Sequence, residues 1–116
     1  MGNFKVVVAE SAVWSLQDAE SFKSPLIGRE AAAEWADGLL LSSIEVLSED
    51  PERYRYCAQL SELGVAIRER FDPESGFRCL YDLDMDRKEV HILLFISERQ
   101  DFEKMLNRYH VVRSVM

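Results

Sequence analysis

Seven consecutive residues, Val90 to Ile96 (VHILLFI), are apolar on both faces of a strand except at His91. Side chains alternate across a strand with period two, so a run of this kind has to be covered from above and below. The rest of the chain must therefore supply two layers around one central strand. The preceding run, Phe77 to Leu83 (FRCLYDL), puts Phe77, Cys79, Tyr81 and Leu83 on one face and Arg78, Leu80 and Asp82 on the other. A short charged turn separates the two runs, which together read as a β-hairpin feeding a C-terminal helix.

The covers are found along the chain. Asn3 to Ala9 (NFKVVVA) is a β-branched run of strand length. Ser11 is placed to cap a short first helix over Ala12 to Lys23, with Ala12, Leu16, Ala19 and Phe22 at helical spacing. Ser24-Pro25 is the start signal for a second helix reaching about Glu49, roughly 35 Å long at 1.5 Å per residue. Its apolar stripe is Ala33, Ala36, Leu40, Ile44 and Leu47, widened by Trp35, Leu39 and Val46, and Asp50-Pro51 ends it. Joined tightly, the two form an αα-hairpin able to lie across a sheet face.

Glu52 to Ser61 has no clean period and reads as a loop holding a helical turn. Val65 to Phe71 reads as the next strand, with Val65, Ile67, Glu69 and Phe71 on one side and Ala66, Arg68 and Arg70 on the other. Asp72-Pro73-Glu74-Ser75-Gly76 is turn chemistry and makes a meander with the strand at Phe77. Ser97 and Gln100 have capping-box spacing for the last helix, where Phe102, Met105, Leu106 and Tyr109 form an amphipathic stripe. That stripe serves either to pack on the sheet or as a docking surface for a partner helix. The predicted order is βααβββα: one small α+β domain over residues 1–116, with a mostly antiparallel meander sheet on which the αα-hairpin and the C-terminal helix pack. The tail from His110 to Met116 is apolar enough to add an edge strand, join a partner or fray.

With 116 residues the chain is long enough for a core without a disulfide or structural metal. Cys57 and Cys79 lack metal-ligand spacing, and there is neither a leader-like segment nor a long apolar run. Those features predict a reduced, cytoplasmic protein without a membrane span. The net charge of −7 is unfavourable for binding nucleic acid, and it is uneven. Residues 1–58 carry five Lys/Arg against ten Asp/Glu, while residues 59–116 carry nine against eleven, so any basic patch belongs to the second half. Asp82, Asp84 and Asp86 are spaced as in a calcium loop, but the loop's Gly and bidentate Glu are missing, which makes a charged hairpin turn the expectation.

The segments Ile67-Arg68-Glu69, Phe77-Arg78-Cys79-Leu80-Tyr81, and Val90 to Ile96 followed by Arg99-Gln100-Asp101 together resemble the RelE/ParE toxin superfamily of bacterial toxin–antitoxin modules. The likeness lies in order and spacing over most of the chain. It implies a small α+β domain with the helices on one face of the sheet, and no cofactor. It implies a growth-blocking toxin neutralised by a cognate antitoxin, as in plasmid stabilisation. The target would be ribosome-bound mRNA, cleaved without metal, or DNA gyrase, which is inhibited; a homodimer and a non-toxic interaction module are further readings.

For the nuclease branch the resemblance implies Arg68, Arg78 and Arg99 as contacts to the phosphate, where cations stabilise the charge that develops in the transition state. His91 is the chemically qualified proton-transfer group, since imidazole titrates near neutrality. Arg70 shares the predicted face of Arg68 and, with Phe102, Met105 and Tyr109, belongs to a target- or antitoxin-binding set. No metal site is implied. Each arginine also has a structural reading. Arg68 and Arg70 fit a solvated strand face among Glu62, Glu69 and Glu74, and Arg78 fits a cross-hairpin pair with a carboxylate.

Overall fold

Strand β4 (Glu89–Ser97) is paired on both sides. In the computed structural model, which describes residues 3–98, 100 and 102–108, strand β1 (Lys5–Val8) runs parallel to its first half, from Lys5 opposite Glu89 to Val8 opposite Ile92. Strand β3 (Phe77–Asp84) runs antiparallel along its other edge, and β2 (Arg68–Asp72) pairs antiparallel with β3. The sheet order is β1-β4-β3-β2. The two-sided apolar run is thus central with the Phe77 strand beside it, as its pattern requires. The one parallel pairing arises because a long connection lies between β1 and the meander, and a parallel neighbour needs such a crossover.

Helix α1 (Glu10–Ile27) and helix α2 (Arg29–Glu49) form the crossover. The boundary differs from the one expected at Ser24-Pro25. Pro25 sits inside the last turn of α1, where its missing N–H forfeits a single hydrogen bond, and the chain turns three residues later at Gly28. Gly28 has φ +94° and ψ 154°, a backbone region open essentially to glycine alone. Helix α2 buries Ala32, Ala36, Leu39, Ser43 and Leu47, so the stripe is centred beside the expected one, with Leu40 and Ile44 partly buried on its flank. It ends at Asp50-Pro51 as the sequence signals.

A β-bulge in the hairpin joins α1 to the sheet. Leu80 faces Leu94 but Tyr81 faces Ile92, which leaves Leu93 as the extra residue. Strand β1 stops at Val8, so beyond Ile92 the edge of β4 has no strand partner among the described residues. Helix α1 takes over: the Ala9 N–H donates to the Ile92 carbonyl at 2.9 Å, the Ser11 hydroxyl to the Leu93 carbonyl at 2.5 Å, and the Phe95 N–H to Ser15 Oγ at 3.0 Å. Ser11 is therefore a strand-edge partner and not the expected cap; Ala9 occupies the N-cap position.

Helices cover both faces of the sheet, which corrects the single-face arrangement that the resemblance implied. On the hairpin side, Ala12, Leu16, Ala36, Leu39 and Leu47 pack on Cys79, Tyr81, Val90, Ile92 and Phe95. On the opposite side, Leu80, Leu94 and Ile96 meet Cys57, Leu60, Val65 and Ile67 from the connecting segment and Met105 and Leu106 from helix α4 (Phe102–Arg108). The physical reason is the alternation in β3 and β4, which sends large apolar side chains both ways.

The segment between α2 and β2 holds a 3-10 turn (Pro51–Arg53) and the short helix α3 (Ala58–Ser61). Strand β2 begins at Arg68, later than Val65. Upstream of it Cys57 N–H bonds the Ile67 carbonyl at 2.7 Å, so the loop replaces a strand partner while Val65 and Ile67 stay buried on the side their alternation assigned. The Tyr81 hydroxyl donates to the Pro51 carbonyl at 2.6 Å, and burial pushes its pKa up. At the Asp run, Asp84 Oδ1 accepts the Arg87 N–H at 3.1 Å, making the charged turn expected there. Gln100 reaches back to the Ser97 N–H at 2.8 Å, the side-chain half of the capping box, ahead of α4. No helix among the described residues is long and apolar enough to cross a membrane.

Candidate functional site

Strand alternation decides where the arginines stand. Arg68 faces Tyr81 and Arg70 faces Cys79, so both lie on the hairpin side, together as the sequence indicated. Arg78 faces Phe71 and lies on the opposite side with Glu69. The sheet itself separates Arg68 from Arg78, and the two guanidinium groups do not converge on a common ligand. Arg99 and Tyr109 lie outside the described residues.

Arg68 is committed to the loop beneath it. Its Nη1 donates to the carbonyls of Tyr54 at 2.5 Å and Glu52 at 3.2 Å, its Nη2 to the Tyr56 hydroxyl at 3.3 Å, and its guanidinium stacks 4.4 Å from the Tyr56 ring centroid. This fork geometry suits arginine and tethers the segment that replaces a strand partner for β2. Arg70 is mostly buried beside Asp72, at 3.8 Å, and its Nη1 lacks a hydrogen-bond partner among the described residues. Across the ladder the Cys79 thiol is pushed up to about 12 by burial, which outweighs the nearby Arg70 charge and the Ser43 hydroxyl. That thiol is inert at neutral pH.

Arg78 pairs with Glu69, Nη1 to Oε2 at 3.1 Å, and Arg55 approaches the other carboxylate oxygen at 3.8 Å. This is the cross-hairpin pair open to Arg78 in the sequence. Glu69 is 5% exposed and anchors the group, and the Arg78 guanidinium lies 5.4 Å from the Phe102 ring centroid at the start of α4. Phe102 is partly buried on the same core as Met105 and Leu106, so the expected docking stripe on α4 is largely spent on packing. Arg78 Nε is buried without a partner among the described residues.

His91 lies on the same side as Arg78 but opposite Asp82, four residues farther along β3, or about 13 Å at strand rise. Its Nε2 is 3.2 Å from Glu89 Oε1, and the ring is partly exposed. A proton-transfer group at that distance cannot serve the phosphate that Arg78 would hold, because such a group must stand within hydrogen-bond reach of its proton. Among the described residues no three His, Cys, Asp or Glu side chains are placed to hold a metal ion. The surface depression lined by Tyr56, Ser61, Gly64, Val65 and Ala66, about 210 Å³, is shallow and offers Tyr56 as its single titratable group.

Glu69, Ser11 and Ser15 matter more than the sequence reading assigned to them. A lone Glu between Ile67 and Phe71 on an otherwise apolar strand face was the available signal that a buried cation would be needed. The two serines are spaced i, i+4 on α1, but nothing in the sequence locates the strand edge they serve. No protein-family model matches the chain, and no curated protein does so either.

Proposed function

We propose that this chain is the toxin component of a bacterial toxin–antitoxin module of the RelE/ParE kind, and that it acts in the cytoplasm by binding its target instead of cleaving RNA. The family part of the reading rests on the segments around Arg68, Arg78 and Arg99, in the βααβββα order that their spacing implied. One observation carries the choice of branch. Arg68 and Arg78 lie on opposite sides of the sheet, each engaged by groups of this chain, Arg78 by the buried carboxylate of Glu69. Metal-free cleavage needs cations gathered on one phosphate with acid–base groups within reach, and that assembly is missing among the described side chains.

The target of a binding toxin is then a protein surface, DNA gyrase by resemblance, with a cognate antitoxin covering the chain when it is inactive. The test is pulse labelling of new DNA and new protein in cells just after the chain is induced alone. An early fall in DNA synthesis with intact mRNA supports the proposal. An early fall in protein synthesis with cleaved mRNA, abolished by Arg78→Ala, overturns it in favour of the nuclease branch. No change in either identifies a non-toxic interaction module, a reading that the net charge of −7 favours because it opposes contact with ribosomal RNA.

A further inference from the structure

The two ends of the sheet are finished differently. At β2 the loop ahead of it stands in for a further strand, with the Glu69 N–H donating to the Arg55 carbonyl at 2.9 Å and the Cys57 N–H to the Ile67 carbonyl at 2.7 Å. At β1, the other terminal strand, nothing among the described residues does so. The Lys5 N–H donates to the Lys88 carbonyl and the Ala9 N–H to the Ile92 carbonyl, both toward β4. Backbone groups along a parallel ladder alternate in direction, so Val7 points the same way while Val6 and Val8 point outward. Each leaves a donor and an acceptor unused on that side. The edge is also held in shape. Val6 and Val8 pack their side chains on the hairpin-side core, and the Phe4 N–H is fixed to the Ser48 carbonyl at 3.1 Å. Val6 to Val8 contain no proline, charge or bulge that would blunt the edge.

A second copy of the chain fits this edge in a single register. Two copies of β1 running antiparallel about a two-fold axis pair only where outward residues meet outward residues, which leaves axes at Val6, Val7 or Val8. An axis at Val6 would need the Phe4 N–H, already given to Ser48, and an axis at Val8 would set Val6 against Glu10, already part of α1. The axis at Val7 remains. It lets Val6 and Val8 of the copy exchange both N–H···O bonds, and Val8 and Val6 likewise, while the two Val7 side chains meet on the face away from the hairpin. Charge agrees as well. The exposed Lys5 falls opposite Ala9 of the copy and beside the exposed Glu10 that begins its α1, and symmetry repeats the pair. We propose that β1 is a self-pairing edge through which two copies of the chain join their sheets into one, with Val7 on the two-fold axis and Lys5 of each copy beside Glu10 of the other.

This proposal is independent of the target reading above. The experiment is sedimentation velocity on the full chain over a concentration series up to about 1 mM, the range in which small contacts associate, with amide hydrogen exchange read at Val6, Val7 and Val8. A monomer–dimer equilibrium is expected, with exchange at Val6 and Val8 slowing as the dimer fills while Val7, bonded to β4, stays unchanged. Lys5→Glu turns both cross-copy pairs into repulsions and should raise the dimer Kd about tenfold, and Lys5→Glu/Glu10→Lys should bring it back. Lys5 also faces Glu89 in its own chain, so the restoring swap, and not the single variant, identifies the cross-copy pair. Both substituted side chains are exposed, and circular dichroism checks that the fold is kept. A chain that stays monomeric throughout would overturn the proposal. So would a dimer whose Val6 and Val8 amides remain unprotected, or whose strength the double swap does not restore, since either result assigns the contact to another face. Protection of Val6 and Val8 at every dilution would overturn it too, by giving the edge to another part of the same chain.

Discussion

Replacing Ser15 with Ala tests how α1 completes the central strand. Ser15 is 2% exposed, accepts the Phe95 N–H at 3.0 Å and donates to the Ala12 carbonyl at 2.8 Å. Phe95 is fully buried and lies beyond the reach of β1, so among the described residues its N–H has no strand to turn to. Leaving such a donor unsatisfied costs about 1–3 kcal/mol, and the better helix propensity of Ala returns about 0.5 kcal/mol. A net loss of about 1–2 kcal/mol is expected, or roughly 4–8 °C in Tm for a domain of this size. Urea unfolding followed by far-UV circular dichroism gives the value, with the midpoint falling by about 0.5–1 M. Ser48→Ala is the matched control. Its hydroxyl makes the same kind of bond to a carbonyl three residues back, at 2.8 Å, but at the surface, so a change within about 0.5 kcal/mol is expected. Equal effects at the two serines would refute the idea that α1 acts as the missing edge partner of β4.

Three further outcomes follow from the same geometry. Glu69→Ala leaves Arg78 buried without its counter-ion, so a loss of about 3 kcal/mol is expected in urea unfolding, and Arg78→Ala should cost a comparable amount by stranding Glu69. Gly28→Ala forces a side chain into backbone at φ +94° and ψ 154°, for an expected cost of about 1–3 kcal/mol and an unchanged fold by circular dichroism. The Cys79 thiol should titrate near 12 in the folded chain against about 9 when unfolded, so the unfolded state loses its proton first; stability present below about pH 9 is lost as pH rises toward 12, and Cys79→Ala should flatten that part of the profile measured by urea midpoint.

The β-hairpin and its central placement were legible because Val90 to Ile96 admits one arrangement only, and the turn residues around it fix the meander. The hairpin boundary was misplaced because Ser24-Pro25 is a generic start signal. Gly28 carries the real break through a backbone angle that no sequence pattern reports. Alternation puts Val65 and Ile67 on the correct side, but the strand starts after them at Arg68, since the partner of Ile67 is a loop, and loop pairing leaves no periodic trace. The arginines illustrate the boundary between the two kinds of knowledge. Period two placed Arg68 and Arg70 together, whereas the side of Arg78 depends on the register between β2 and β3, which is a property of the turn at residues 73–76 and not of either strand alone.

That register also explains why the cations cannot be gathered on one face by a small adjustment. A slip of one residue in β3 would bring Arg78 round to the side of Arg68, but side-chain period two would turn Leu80 out with it and push Cys79 and Tyr81 into the opposite core. Leu80 is fully buried against Leu94 and Ile96, and Tyr81 is anchored to Pro51, so the slip would exchange the occupants of both cores and break that hydrogen bond. The two-sided demand of β4, the feature that organises the sequence, therefore fixes the separation of the arginines. Among the described residues, large apolar side chains are exposed elsewhere: at Phe22 and Leu26 on the helical hairpin and at Phe71 in β2. Arg68 and Arg78 hold the two-sided arrangement, one by tethering the loop ahead of β2 and the other by pairing with the buried Glu69.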